Sequence, residues 1–326
     1  MNNHEPSYTK PELASTVLWE IRQGTATMPR LDPVGTGFEP IDNMLDGGFR
    51  PGELVVLGAR AGAGKTSLAL QWASAVCGSG RRATFACFAH DEYALTTRLV
   101  LQALASLSGM TDRTERHRLR RTVYAMLRGQ VSYEESLAEF PALDRIMEHL
   151  GALGTGLQLF RPWAQRTTPE VILEACGSHL QMGSVLFVDY LQKVAVSDIN
   201  PAQNQIFRVT ELLKELAVSR QITVVAVSTA TSDKTNRGVT RLSDLQGSDS
   251  IANECDVALV LNDKNDLLAS RQGGLGASNN ERDRQLSVVT IEKNRRGEEG
   301  VHMEFTKDLS NYRFDPRGSF VPEPID

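Results

Sequence analysis

The sequence predicts an α/β protein built on a doubly wound, mostly parallel sheet with helices on both faces. Three observations predict it. Apolar runs without alternation recur along the chain, at Leu54 to Leu57, Val185 to Val188, Ile222 to Val227 and Val257 to Leu261, as strands covered on both faces require. Helical stretches separate these runs, and strands alternating with helices build this kind of sheet. The stretch Glu53 to Ser67 reads as a buried strand, a glycine-rich turn and the start of a helix, the form that cradles a phosphate chain.

In chain order, residues 1 to 10 are polar. A short amphipathic helix is expected from Pro11 to about residue 23, with Leu13, Val17, Leu18 and Ile21 on one face and Gly24 ending it. A helix this short cannot bury its apolar face alone; it packs on the body or docks on a neighbouring subunit, and the sequence leaves both open. Residues 25 to 33 carry two prolines and read as a linker. The strand and turn at 53–67 lead into the helical run Ser67 to Ala73. A second strand is expected at Arg82 to Phe88, a helix from about Tyr93 to Leu107, and a polar helical region to about Leu153. This region holds Arg113, Arg116, Arg118, Arg120, Arg121 and Arg128, read as a solvated helix face ahead of a nucleic-acid or partner surface. A short strand at Leu157 to Phe160 and a helix at Pro169 to Leu180 follow, then the strand that ends at Asp189, an amphipathic helix at Gln205 to Ser219, and strands at 222–228, 256–261 and 286–293. Asn262 to Arg284, rich in Gly, Asn, Asp and Ser, reads as a mobile loop or hairpin tip. Met303 to Phe305 and Tyr312 to Phe314 close the sheet, and a loose tail begins at Pro316. The expected organisation is a helix and linker at 1–33, one nucleotide-binding domain at 34–315 and a tail at 316–326.

Bulk properties narrow the function. Of 326 residues, 41% are hydrophobic and 23% charged, and the net charge is −5; this is globular composition, and any nucleic-acid contact must come from a local basic surface. The four cysteines are scattered without a C-x-x-C pair, which argues against a disulfide framework or a zinc site and fits a reducing cytoplasm. No signal peptide and no membrane-spanning run is seen.

The candidate phosphate loop comprises Ala59, Arg60, Ala61, Gly62, Ala63, Gly64, Lys65, Thr66 and Ser67. Glycines let backbone N–H groups turn inward, Lys65 reaches the outer phosphates, and the Thr66 hydroxyl can bind Mg²⁺. Ala59 stands where the consensus wants glycine. Asp189, an acid ending an apolar strand, is the second anchor, positioned to hold Mg²⁺ through water. A nucleoside triphosphate and Mg²⁺ are therefore the expected ligands.

The string Thr36-Gly-Phe…Gly47-Gly-Phe-x-Pro-Gly-Glu-Leu54, followed by strand and phosphate loop, resembles the RecA-like ATPase core of DnaB-type replicative helicases. Val188-Asp-Tyr-Leu-Gln192, Ser243-Asp-Leu-Gln-Gly-Ser-Asp249 and Lys293-Asn-Arg-Arg-Gly297 extend the likeness from about Gly35 to Phe314. DnaB-type loops also accept alanine at the position of Ala59. The resemblance implies a homo-oligomeric ring that hydrolyses ATP and moves on single-stranded DNA. Lys293 and Arg295 would act on the outer phosphate of ATP bound to the adjacent subunit, and the helix at 11–23 resembles the linker helix that docks neighbours.

Three departures bear on activity. The family ends its second strand with Ser-Leu-Glu-Met, whose Glu polarises the attacking water. Aligned on Leu95-x-x-Arg-Leu99, that position is Ala89, leaving His90, Asp91 or Glu92 to substitute; of these, Glu92 is the expected catalytic acid. The family's Ser-Gln becomes Ser228-Thr229, and its DNA-gripping Arg-Glu-Ser-Gly becomes Gln246-Gly-Ser-Asp249, with Lys234, Arg237 and Arg241 nearby. These departures favour an alternative, an ATP-binding assembly or regulatory protein with weak hydrolysis. A small-molecule phosphotransferase is a third class, disfavoured because a kinase needs no cation from a neighbour.

Overall fold

The protein is described from a computed structural model, which covers residues 13–23, 32–107, 113–197, 205–231, 239–271, 283 and 285–321. The chain begins with helix α1 (Ala14–Gln23) and α2 (Glu39–Met44), then strand β1 (Leu54–Ala59) and α3 (Lys65–Gly78). Strand β2 (Ala83–Cys87) leads into α4 (Glu92–Leu107). The polar region resolves into three helices, α5 (Arg113–Leu127), α6 (Tyr133–Glu139) and α7 (Ala142–Gly154). β3 (Leu157–Phe160), α8 (Pro169–Cys176), β4 (Val185–Asp189), α9 (Gln205–Arg220) and β5 (Thr223–Thr229) complete the winding. After α10 (Ser248–Glu254) come β6 (Val257–Asp263), α11 (Lys264–Arg271), β7 (Leu286–Asn294), β8 (Val301–Asp308), β9 (Arg313–Phe314) and β10 (Ser319–Phe320).

The strand order is β10-β8-β7-β6-β1-β5-β4-β2-β3 with β9 on β8. Pairing is parallel from β6 to β3 and antiparallel beyond β6. β1 lies inside the parallel part, and all of its residues are buried. Alternate residues face opposite layers, as the period of a strand demands. Val55, Leu57 and Ala59 join a core with Leu68, Trp72 and Phe38, while Leu54 and Val56 join a second core with Leu213, Leu216 and Ile251. Burial on both faces is why these strands read as unbroken apolar runs. A smaller core under α4–α7 gathers Leu101, Leu104, Leu119, Val123, Phe140 and Ile146. One helix face of α5 is thereby buried. Of its arginines, Arg118 pairs with Glu139 at 2.8 Å and Arg120 lies over the Tyr124 ring, as does Arg128 just past the helix end.

Three sequence expectations change. Within 262–284, read as a loop, β6 runs on to Asp263 and α11 follows, because Leu267 is buried and Asp266 reaches Arg60 at 2.8 Å; residues 272–282 lie outside the described residues. In the segment read as a loose tail, Ser319 and Phe320 pair with Glu304 and Met303 of β8. The helix after Pro169 ends at Cys176, with a 3-10 turn at Gly177–His179. Among the described residues, Leu18, Trp19 and Ile21 of α1 do not pack on the body: Leu18 is 66% and Trp19 60% exposed. Among the described residues, no helix is long and apolar enough to cross a membrane.

Candidate functional site

The phosphate loop leaves β1 at Ala59 and enters α3 at Lys65. Gly62 and Gly64 have φ of +79° and +102°, a left-handed backbone that glycine adopts without a Cβ penalty. Gly58 answers a different demand: a Cβ there would lie 2.6 Å from Leu245 Cδ1. The first N–H groups of α3 have no intrahelical acceptor and face the loop, so an anion there meets donors and the positive end of the helix. Lys65 Nζ folds back and donates to the carbonyls of Ala59 at 2.9 Å and Arg60 at 2.8 Å. Burial lowers its pKa to about 8, against the pull of Asp189, which raises it. Arg60 points away, ion-paired with Asp263 and Asp266; Lys307 also binds Asp263. Lys65 is therefore the loop cation left for phosphate.

β4 carries Asp189 to the same edge of the sheet. Its Oδ2 accepts from Thr66 Oγ1 at 2.7 Å and from Cys87 Sγ at 3.3 Å. Cys87 stands opposite Asp189 in the β2–β4 register. Burial and then the Asp189 charge push its thiol up to about 12, so Cys87 stays protonated and donates. A hydroxyl and a carboxylate side by side form an all-oxygen set that suits a hard cation shared with phosphate oxygens. The residues fit Mg²⁺ with a nucleoside triphosphate.

The end of β2 carries the groups considered as bases. Ala89 is exposed and offers no acceptor. His90 Nε2 lies 2.7 Å from Arg98 Nη2; a guanidinium only donates, so this nitrogen accepts. Burial first, then Arg98, lowers the His90 pKa. Asp91 Oδ1 accepts from Ala94 N at 2.8 Å, capping α4. Glu92 Oε1 accepts from Arg161 N at 3.1 Å, past the end of β3, the strand on the far side of β2 from Asp189. Lys65, Thr66 and Asp189 are thus brought together, and Glu92 stands apart from them.

Gln192 was not singled out by sequence, although it closes the quoted Val-Asp-Tyr-Leu-Gln string. Its Nε2 donates to Ser228 Oγ at 2.8 Å and to the Gln246 carbonyl at 3.3 Å, tying the segment after β4 to the end of β5 and to the turn before α10. Thr229 lies opposite Ala59 in the β1–β5 register. Arg241 pairs with Glu292 at 3.2 Å; Lys234 and Arg237 lie outside the described residues.

Lys293 and Arg295 sit at the other edge of the sheet. Lys293 is opposite Ala258, itself level with Val56, and donates to the Ala252 carbonyl at 2.5 Å. Arg295 N–H donates to the Asp256 carbonyl, and Asp256 Oδ2 holds Leu54 N–H. Arg295 is therefore level with the start of β1, five residues from Ala59. That is roughly 16 Å along the strands and ~10 Å across two strand spacings, beyond the span of an arginine side chain. Neither cation can reach the phosphate loop of its own chain. Arg295, about half exposed, also contacts the Asn253 carbonyl and Asp256. Its neighbour Arg296 is tied down by the carbonyls of Leu45 and Gly48 and by Glu53.

A family model described as the DnaB-like helicase C terminal domain matches residues 33–132 and 171–314. The chain belongs to this family. The unmatched interval from 133 to 170 holds α6, α7, β3 and the loop after it. The replicative DNA helicase DnaB of Treponema pallidum (strain Nichols) is 26% identical over 277 residues, covering 81% of this chain and 56% of that protein. A probable plasmid replicative DNA helicase of Chlamydia psittaci is 36% identical over 115 residues, covering 34% of this chain and 23% of that protein. The chain thus spans about half the length of DnaB relatives such as the first. Among solved structures, the ATPase domain of G40P superposes with a TM-score of 0.72 at 18% identity, covering 94% of this chain and 99% of that one. A DnaB-like replicative helicase, studied for its interactions with primase, gives 0.71 at 18% identity, covering 93% and 68%. These likenesses establish the RecA-like fold of the DnaB-type domain.

Proposed function

We propose that this chain binds ATP with Mg²⁺ and works as a DnaB-type motor, hydrolysing ATP between subunits of a homo-oligomeric ring to move along single-stranded DNA. The observation that carries the reading is the split of the site. Lys65, Thr66 and Asp189 gather at one edge of the sheet, while Lys293 and Arg295 stand at the other, where only a neighbour's nucleotide is within reach. On binding, Lys65 would leave the carbonyls of Ala59 and Arg60 for phosphate oxygens. Thr66 and Asp189 would hold Mg²⁺, whose charge would help neutralise the phosphates. Arg295 of one subunit then meets the charge that spreads over the transferring phosphoryl group, coupling hydrolysis to the interface. Glu92, the acid proposed to take the place of the missing glutamate, must first release Arg161 N–H. Steady-state ATPase assays with and without single-stranded DNA test the motor: DNA-stimulated turnover is expected, and absence of both turnover and salt-sensitive DNA binding refutes it.

A second reading, an ATP-binding assembly or regulatory protein with weak hydrolysis, draws support from Ala89 and from the hydrogen bonds that occupy His90, Asp91 and Glu92. General acid–base help contributes typically ~10²–10⁴ in rate, so its loss slows turnover while leaving ATP binding intact. The same assay separates the two readings, since the second expects nucleotide-dependent assembly with little turnover.

A further inference from the structure

The loop between β3 and α8 is basic and aromatic, Arg161-Pro-Trp-Ala-Gln-Arg-Thr167, and lies within the interval that the family model leaves unmatched. It is held in one shape by hydrogen bonds. Trp163 N–H donates to Thr167 Oγ1 at 3.0 Å, and the N–H groups of Arg166 and Thr167 both donate to the Trp163 carbonyl at 3.1 Å. Gln165 N–H donates to the Lys193 carbonyl at 3.2 Å, and the Thr167 carbonyl accepts from Ala195 at 2.9 Å, which fastens the loop to the segment after Asp189. The fixed loop presents Trp163, which is 68% exposed. The Arg166 guanidinium lies 5.6 Å from its ring centroid. The Glu92 carboxylate that holds Arg161 N–H is next in sequence to Tyr93, 84% exposed at the start of α4. Arg161 and Arg166 are exposed, and their guanidinium groups have no carboxylate partner among the described residues.

Solvent-facing aromatic rings, one of them on a hydrogen-bonded loop, interleaved with guanidinium groups that pair with no carboxylate match one partner chemistry. Bases stack on the rings and phosphates meet the arginine forks. In a duplex the base faces are stacked on one another, and an acidic peptide would pair with the arginines but leave the rings empty. The surface follows β2 and β3 and so lies on the same edge of the sheet as Asp189 and the phosphate loop, beyond Ala89. We propose that Tyr93, Arg161, Trp163 and Arg166 form a binding surface for single-stranded nucleic acid. The proposal rests on the reading of the chain as a protein that works on single-stranded DNA, and names a place for that strand outside Gln246–Asp249, where an arginine of the family pattern is missing.

The test measures the affinity of the full chain, with a non-hydrolysable ATP analogue, for fluorescein-labelled oligo(dT) by anisotropy across a salt series. Trp163→Ala and Tyr93→Ala are each expected to weaken binding roughly ten-fold, within the range of losing one stacked base, while Trp163→Phe stays near wild type. An Arg161→Ala/Arg166→Ala variant is expected to lower the slope of log affinity against log salt by roughly 1.4, because two phosphates of the single strand are then no longer neutralised. Affinity for a fluorescent ATP analogue, unchanged in all four, reports an intact fold. Wild-type DNA affinity and salt slope in the variants overturn this surface alone. Failure of the wild type to bind oligo(dT) overturns both it and the single-strand reading. Loss of self-assembly with unchanged DNA affinity in the assembled fraction assigns the surface to a subunit contact and also overturns the proposal.

Discussion

Lys65 carries the most direct prediction at the scale of single residues. Its ammonium has a pKa of about 8 in the free protein, lowered by burial, so it loses its proton as pH rises through that value. Phosphates need the charged form. ATP affinity is therefore expected to be level below about pH 7 and to fall as pH climbs past 8, with proton uptake on binding near pH 8; calorimetry in buffers of different ionisation enthalpy reads both. An affinity unchanged from pH 7 to 9.5 contradicts a role for the lysine charge. Ala89 carries the second prediction. Restoring a carboxylate with Ala89→Glu is expected to raise turnover by ~10² or more, from the usual worth of a general base, with ATP affinity little changed. An unchanged rate means that another group already polarises the water, and Glu92→Gln in the same assay then shows whether Glu92 is that group. The sequence made Lys65, Thr66 and Asp189 legible because the phosphate loop and the strand-ending acid each have a fixed spacing from their element. It did not reveal that His90, Asp91 and Glu92 are all engaged, because that depends on where α4 starts and on Arg161 across the β2–β3 pair.

The elements explain why the site is held so firmly. β1 delivers the loop, and its penultimate residue, Gly58, leaves room for Leu245, two residues ahead of Gly247, the N-cap of α10. A methyl at Gly58 must displace the Leu245 side chain. Gly58→Ala is expected to cost about 1–3 kcal/mol, as overpacking does, seen as a lowered melting temperature; a stability equal to wild type shows that Leu245 moves freely. The strands were legible from unbroken apolar runs because β1, β4 and β5 are covered on both faces. α11 was not, because its Gly-, Asn- and Asp-rich surroundings hide a helix fixed by one buried leucine and an ion pair to Arg60. β10 was hidden for a related reason: two residues among prolines give no periodicity, and only the free edge of β8 makes them a strand.

At the scale of the whole molecule, the proposed ring needs surfaces that face its neighbours. Leu18, Trp19 and Ile21 of α1, with Leu13 just before it, are exposed, an apolar face that the described residues of the body do not cover. A Leu18→Glu/Trp19→Glu variant is expected to shift mass photometry with nucleotide toward monomer while leaving the melting temperature of the domain unchanged; an unaltered mass distribution contradicts the docking role of this helix. The sequence left the place of α1 open, since amphipathicity states that a face will be covered but not by what. The separation of Lys293 and Arg295 from the phosphate loop was likewise invisible in the motif. It follows from β7 running antiparallel to β6, which carries the Lys-Asn-Arg-Arg-Gly turn to the opposite edge.

That separation gives the most direct test of nucleotide shared between subunits. Steady-state ATPase is measured for Lys65→Ala alone, for Arg295→Ala alone, and for the two mixed as monomers before assembly. Each alone is expected to fall far below wild type, the arginine loss by roughly 10³ or more if it acts as an arginine finger. The mixture is expected to recover activity well above the sum of its parts, because an intact loop from one variant then faces an intact arginine from the other. A mixture no more active than that sum contradicts the shared site.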